Sequence, residues 1–262
     1  MGQAPVGRRR LLSRLAGSVI GAALLAILGV AGLLAFPEPL FPYYVTAGRL
    51  TLRSDQPFDA AAGRRVLRDV ERRLSLAPPQ MSAGHGRYRI FVANAGWRRR
   101  LTFLWSYGAG GVNYYPIGGS VFVRRADIDR DRVFQSDGDD VPPPRTLAYY
   151  AAHEIGHTLV AQRVGAVENW RLPRWIREGA SDYVAFGGDV DIDAMARQLR
   201  AGDRDMDPKA SGLYARYRLL VANMLKREGW SIDQLLLSDL PQAEAERRLL
   251  TARPKTPAAE PR

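Results

Sequence analysis

Three observations make this chain an α+β protein behind a single membrane-spanning helix. The run from Leu15 to Phe36 carries no charged residue and has the length that a bilayer-crossing helix needs. Between Arg49 and Arg125, short stretches with the two-residue period of strands surround one stretch with the period of a helix. From Arg145 onward the apolar spacing is mainly helical. A chain of 262 residues has room for one substantial domain besides the membrane segment.

Residues 1–14 form a basic N-terminus containing Arg8, Arg9, Arg10 and Arg14. No Lys or Arg follows the apolar run before Arg49. The positive-inside rule therefore puts 1–14 in the cytoplasm. The folded part then faces the periplasm or cell exterior, held at the inner (plasma) membrane by a single pass. Residues 15–36 read as an uncleaved signal anchor. A cleaved signal peptide is the competing reading, but its apolar core is shorter, and no clear small-x-small site follows this run. Gly17 and Gly21 have the spacing that lets membrane helices approach closely; the oligomeric state stays open.

Residues 37–48, with Pro37, Pro39 and Pro42, read as a linker. Arg49–Ser54 alternates like a strand. Phe58 to about Leu76 reads as an amphipathic helix with Val66, Leu67, Val70 and Leu74 on one side, ended by Pro78-Pro79. Tyr88–Ala93 and Ser120–Arg125 are two further strands. Asp137, Asp139 and Asp140 lie in an acidic loop that lacks the ligand spacing of an EF-hand and reads as a turn. The main domain spans 49–251. The tail 252–262, rich in Pro, Ala and charge, is expected to be disordered.

The absence of cysteine excludes disulfides and thiolate metal sites. The formal net charge is +11, and Arg98, Arg99 and Arg100 form a cluster beside Trp97. Such a cluster is suited to an acidic surface or lipid headgroups, and is more often a solvated face. Nucleic acid is not an expected partner, because the anchor puts the basic domain in another compartment and no recognition motif is visible.

The chemistry concentrates in His153-Glu154-Ile155-Gly156-His157. Imidazoles four residues apart on a helix lie on the same face, the spacing that holds one Zn²⁺ from two directions. Glu154 projects close by, where it can accept a proton from water. The flanks are largely apolar and free of turn signals from Leu147 to Gly165, so the motif lies mid-helix on a buried segment. Burying His, Glu and His is costly unless something satisfies them. Hydrolytic zinc usually takes a third protein ligand. A metzincin would have Gly and His where Val160 and Arg163 stand, so that pattern fails. The remaining histidine, His85, lies in a turn-like stretch. A carboxylate is the better candidate. Leu172–Ala185 reads as a second helix, and Glu178 and Asp182, four residues apart, share one of its faces.

This arrangement, with the W-x-x-E-G-x-x-x-Y string through Trp175, Glu178, Gly179 and Tyr183, resembles the thermolysin-like (gluzincin) zinc metallopeptidases of the MA-like group over about Arg145 to Leu237. The resemblance implies a zincin-like domain: a mixed N-terminal sheet with a helix, then an active-site helix and a helical C-terminal part. It implies His153, His157 and Glu178 as zinc ligands, with Asp182 orienting His153 through its other ring nitrogen. It also implies a peptidase in which Glu154 is the general base toward a metal-activated water, and a peptide or protein substrate. The donor to the developing oxyanion is then a tyrosine from a later helix, Tyr217 in preference to Tyr214. Ser120–Arg124 is either the edge strand that pairs with substrate or an ordinary internal strand. The alternative function is a catalytically inactive, zinc-stabilised module that binds envelope proteins; retention of Glu154 speaks against it.

Overall fold

The computed structural model describes residues 6–251 except 83–85, 118 and 136–137; the side chains of 6–17, 82 and 105 are likewise outside the description. The readings made for His85, for the side chains before Ser18, for residues 136–137 and for the tail fall outside the described residues.

The α+β class is as expected. A five-stranded sheet has the order β1-β2-β3-β5-β4, built from β1 (Tyr43–Ala47), β2 (Leu50–Ser54), β3 (Tyr88–Ala93), β4 (Gly111–Asn113) and β5 (Ser120–Arg124). The pairs β1–β2 and β4–β5 are antiparallel; β2–β3 and β3–β5 are parallel. Two strands differ from the sequence reading. The stretch read as a linker contains β1, since Tyr43-Tyr44-Val45-Thr46 is aromatic and β-branched and suits a pleated surface better than its flanking prolines suggest. The glycine-rich stretch before Ser120 contains β4, too short to show a period.

Alternation divides the sheet into two faces. Leu50, Leu52, Ile90, Val92, Val121 and Val123 point to the main core, shared with the helices. Phe91, Phe122 and Val112 point the other way, into an aromatic cluster with Phe41, Phe103 and Leu34. Leu34 belongs to the N-terminal helix α1 (Val6–Ala35), whose segment Ser18–Ala35 is long and apolar enough to cross a membrane.

Helix α2 (Ala60–Ser75) begins at the cap Asp59, whose side chain accepts from the Ala62 N–H, and buries Val66, Leu67, Val70 and Leu74 as the periodicity required. Helix α3 (Gly96–Phe103) follows β3. The central helix α4 (Leu147–Val164) is capped by Thr146 and ends at Gly165, whose φ of 86° favours glycine. Apolar residues surround α4 on nearly all sides, so it lies in the interior between the sheet and the later helices. After the short α5 (Ala166–Arg171), α6 (Arg174–Ala185) packs against α4, and α7 (Ile192–Arg200) and α8 (Ala215–Ala222) close the other side.

Two glycines set these helix contacts. A Cβ on Gly156 would stand 2.9 Å from the Ser181 Cα, and one on Gly179 would stand 2.6 Å from the Tyr217 carbonyl oxygen. Neither obstacle is a flexible side-chain end, so α4, α6 and α8 lie this close only because both positions lack a side chain.

Candidate metal centre

The close approach of α4 and α6 brings three ligand atoms together. His153 and His157 project from one face of α4 with their Nε2 atoms 3.2 Å apart. From α6, Glu178 Oε2 stands 3.6 Å from His153 Nε2 and 3.3 Å from His157 Nε2. These three groups can hold a metal ion, and among the described residues no other such cluster occurs.

The other ring nitrogens meet different partners. His157 Nδ1 is 3.0 Å from Ser181 Oγ, and that hydroxyl also bonds the Arg177 carbonyl at 3.0 Å. The single hydroxyl proton goes to the carbonyl, so Oγ accepts from Nδ1–H and leaves the Nε2 lone pair pointing at the cluster. The sequence reading missed Ser181, because nothing in its own stretch reveals that it faces α4. His153 Nδ1 faces Asp182 Oδ1 at 3.7 Å, an electrostatic contact rather than a hydrogen bond. Asp182 is itself held firmly. It accepts from the Tyr149 hydroxyl and, at 2.6 Å, from Arg218 Nη1.

The local field favours a cation where the rings converge. Burial disfavours a charged His153, yet the carboxylates of Asp182, Glu178 and Glu154 outweigh it and raise its pKa to about 10. Burial likewise pushes Glu178 up, but His157 and His153 more than reverse that and hold it well below the usual carboxylate range. Glu154 is pushed up by burial, against the opposing pull of both histidines. Its side chain lies against the backbone of β4, where a Cβ on Gly111 would come within 2.7 Å of its Cγ. Asn113 Nδ2 donates to the Glu154 backbone carbonyl at 3.0 Å, joining edge strand to helix.

A cavity of about 800 Å³ opens over the cluster, lined by His153, Glu154, His157, Glu178, β4 and Tyr214. Tyr214, at the cap position of α8, stacks on His153 with centroids 5.5 Å apart and planes 8° from parallel. Burial, with the charge of Glu178, pushes its phenol up to about 12, so it is a proton donor at neutral pH. Tyr217 is buried one turn into α8, is not among the residues lining the cavity, and presents its backbone to Gly179. The structure thus brings Tyr214, and not the preferred Tyr217, to the site. Where α8 begins decides between them, and the sequence does not mark that start sharply. The edge-or-internal alternative also resolves. Strand β5 is internal and fully buried, and β4 is the edge strand at the cavity.

Comparison with protein-family models gives no match, and comparison with curated proteins gives none either. Geometry alone defines the class: an α+β protein with one N-terminal helix of membrane-span length and a partly buried His-His-Glu group able to hold a metal ion.

If Ser181 fixes the tautomer of His157, Ser181→Ala will weaken metal binding by about 10–100-fold, the usual cost of losing a partner behind a ligand. Competition with a chromophoric chelator reads this directly. Unchanged affinity would leave Ser181 as a packing residue only.

Proposed function

We propose that this protein is a membrane-anchored zinc peptidase with a zincin-like domain of the gluzincin kind. The observation that carries this reading is the ligand triangle. Two ligand atoms of a tetrahedral zinc, each about 2.0–2.2 Å from the ion, stand about 3.3–3.5 Å apart. The three separations here are 3.2, 3.3 and 3.6 Å. Two imidazoles and a carboxylate are also the donor set of hydrolytic zinc, while the hard cations prefer oxygen.

His153, His157 and Glu178 would hold the ion. When bound, zinc polarises a carbonyl and lowers the pKa of water. The chain's own groups supply the rest. Glu154 accepts the proton of the attacking water at its carboxylate and delivers it to the leaving amine. The Tyr214 hydroxyl donates to the oxygen that becomes negative in the transition state. Ser181 and Asp182 keep the two rings aimed. An extended peptide pairs with the free edge of β4 by backbone hydrogen bonds, and Gly111 lets the strand lie close to Glu154.

The anchor reading has support of its own. The end of α1 is tied into the fold, with Arg89 Nη2 donating to the Ala35 carbonyl at 3.2 Å, Arg89 paired with Glu38, and Leu34 buried in the aromatic cluster. Cleavage after the apolar run would remove that packing, which favours retention as an anchor, with the N-terminus cytoplasmic and the domain outside.

The test is full-length protein assayed on a peptide library. Cleavage should vanish on chelation and return with one equivalent of zinc. Stoichiometric zinc binding without any cleavage would sink the peptidase reading and leave the inactive binding module.

A further inference from the structure

We propose that α3 and the adjoining rim of the sheet rest on the membrane surface beside α1 and bind anionic lipid headgroups. The proposal rests on α1 being a membrane helix, and goes beyond it by fixing which face of the domain meets the lipid.

The first argument is depth. The outer face of the sheet is covered by a single apolar cluster that contains Leu34 of α1, Phe103 of α3 and Phe41, Phe91 and Phe122. Val30 of α1 and Leu104, just after α3, pack against the same cluster. Helix α1 rises about 1.5 Å per residue, so its uncharged run is about 33 Å long, close to the thickness of a hydrocarbon core. Val30 and Leu34 lie in the last two turns of that run. Side chains packed on them stand where hydrocarbon gives way to headgroups. The fold therefore holds α3 at this level, because its Phe103 is fully buried in the cluster.

The second argument is chemistry. Groups that project from this level are those that bilayer interfaces select. Trp97 is 55% exposed and Tyr107 37%, and aromatic rings with one polar edge concentrate at interfaces. Arg98, Arg99 and Arg100 follow Trp97 on α3. Arg98 lies over the Trp97 ring at 4.6 Å, with its guanidinium also 3.9 Å from the buried Asp55 carboxylate. Arg99 and Arg100 therefore carry the headgroup charge here, and Arg99 Nε donates to the Tyr107 hydroxyl at 3.0 Å. The aromatic and cationic groups thus form one patch. Across the same face of the sheet, Tyr44 is exposed and carries Arg53 over its ring at 4.5 Å, while Arg53 also bonds the Phe41 carbonyl at 3.2 Å. Arginines near an anionic lipid surface are attracted to it within about a Debye length. Several of them beside a fixed anchor hold the domain against the bilayer instead of letting it swing.

The chain has no cysteine, so single labels are unambiguous. Nitroxide labels are placed on full-length protein in vesicles of phosphatidylcholine with phosphatidylglycerol. Gly96→Cys reports on α3 without disturbing it, since a Cβ there meets nothing within 4 Å. Leu25→Cys reports on the anchor, and Leu237→Cys, 76% exposed and next to helices on the opposite side of the sheet, gives the water reference. The label at 96 is expected to collide with a water-soluble nickel chelate several-fold less often than the label at 237, and the label at 25 hardly at all. Reversing charge with Arg99→Glu and Arg100→Glu is expected to raise the collision rate at 96, and only where phosphatidylglycerol is present. A label at 96 as water-exposed as at 237, with 25 still in lipid, overturns the docked face alone. A water-exposed label at 25 overturns the anchor as well. If charge reversal has no effect, headgroup recognition by the arginines is refuted.

Discussion

On the proposed zinc-peptidase reading, replacing Glu154 with Gln will lower peptide cleavage by about 10²–10⁴-fold, the range that a positioned general base contributes, while zinc affinity stays near that of the wild type. Gln has the same shape, and shape matters here. The side chain is confined by the Gly111 backbone on one side and by its own helix on the other. The amide cannot take up a proton, so the loss should fall on kcat with KM little changed. Metal affinity should persist because none of the three converging atoms belongs to Glu154. Single-turnover cleavage with a fluorogenic peptide, beside a zinc titration, separates the two effects. A variant that cleaves at the wild-type rate would remove Glu154 from the mechanism.

Asp182→Ala should be the most damaging change to stability, at about 3–5 kcal/mol, the usual cost of removing one member of a buried ion pair. Asp182 is fully buried, and its two oxygens serve Tyr149 and Arg218. Alanine leaves a largely buried guanidinium without its anion and a buried phenol without its acceptor. Arg218→Ala should cost a comparable amount. The double variant should cost clearly less than the two together, because the remaining unpaired charge is gone. Urea unfolding of the four proteins measures the cycle; strict additivity would show that the pair is not coupled. The pH dependence has a definite sign. Burial raises the Asp182 carboxyl, but His153, Arg218 and Tyr149 outweigh it and hold its pKa below the ordinary value of 3.8. Its contribution is therefore complete above that value and is lost as pH falls through the lower folded pKa.

Much of the centre was legible from local periodicity. His153 and His157 four apart on one helix, and Glu178 and Asp182 four apart on another, follow from the helical repeat alone. Helices α2, α4 and α6 were visible for the same reason, and so were β2, β3 and β5. What escaped were features whose signal is short or lies in another part of the chain. Strand β4 has three residues, fewer than a period needs. Strand β1 was hidden among prolines. Ser181 differs from any other helical serine only in facing His157, and Tyr214 differs from Tyr217 only in where α8 starts.

The sequence alone determined that two imidazoles share a helical face, that an acid pair shares another, and that an uncharged run long enough to span a bilayer precedes them. These are properties of single helices, set by a rise and a turn that every residue repeats. It took the packed structure to show that the two faces meet at 3.3 and 3.6 Å, which tyrosine stacks on His153, and which strand forms the edge at the cavity. Those outcomes depend on how closely helices pack. Here Gly156 and Gly179 govern that distance, through the absence of atoms that would otherwise keep α4, α6 and α8 apart.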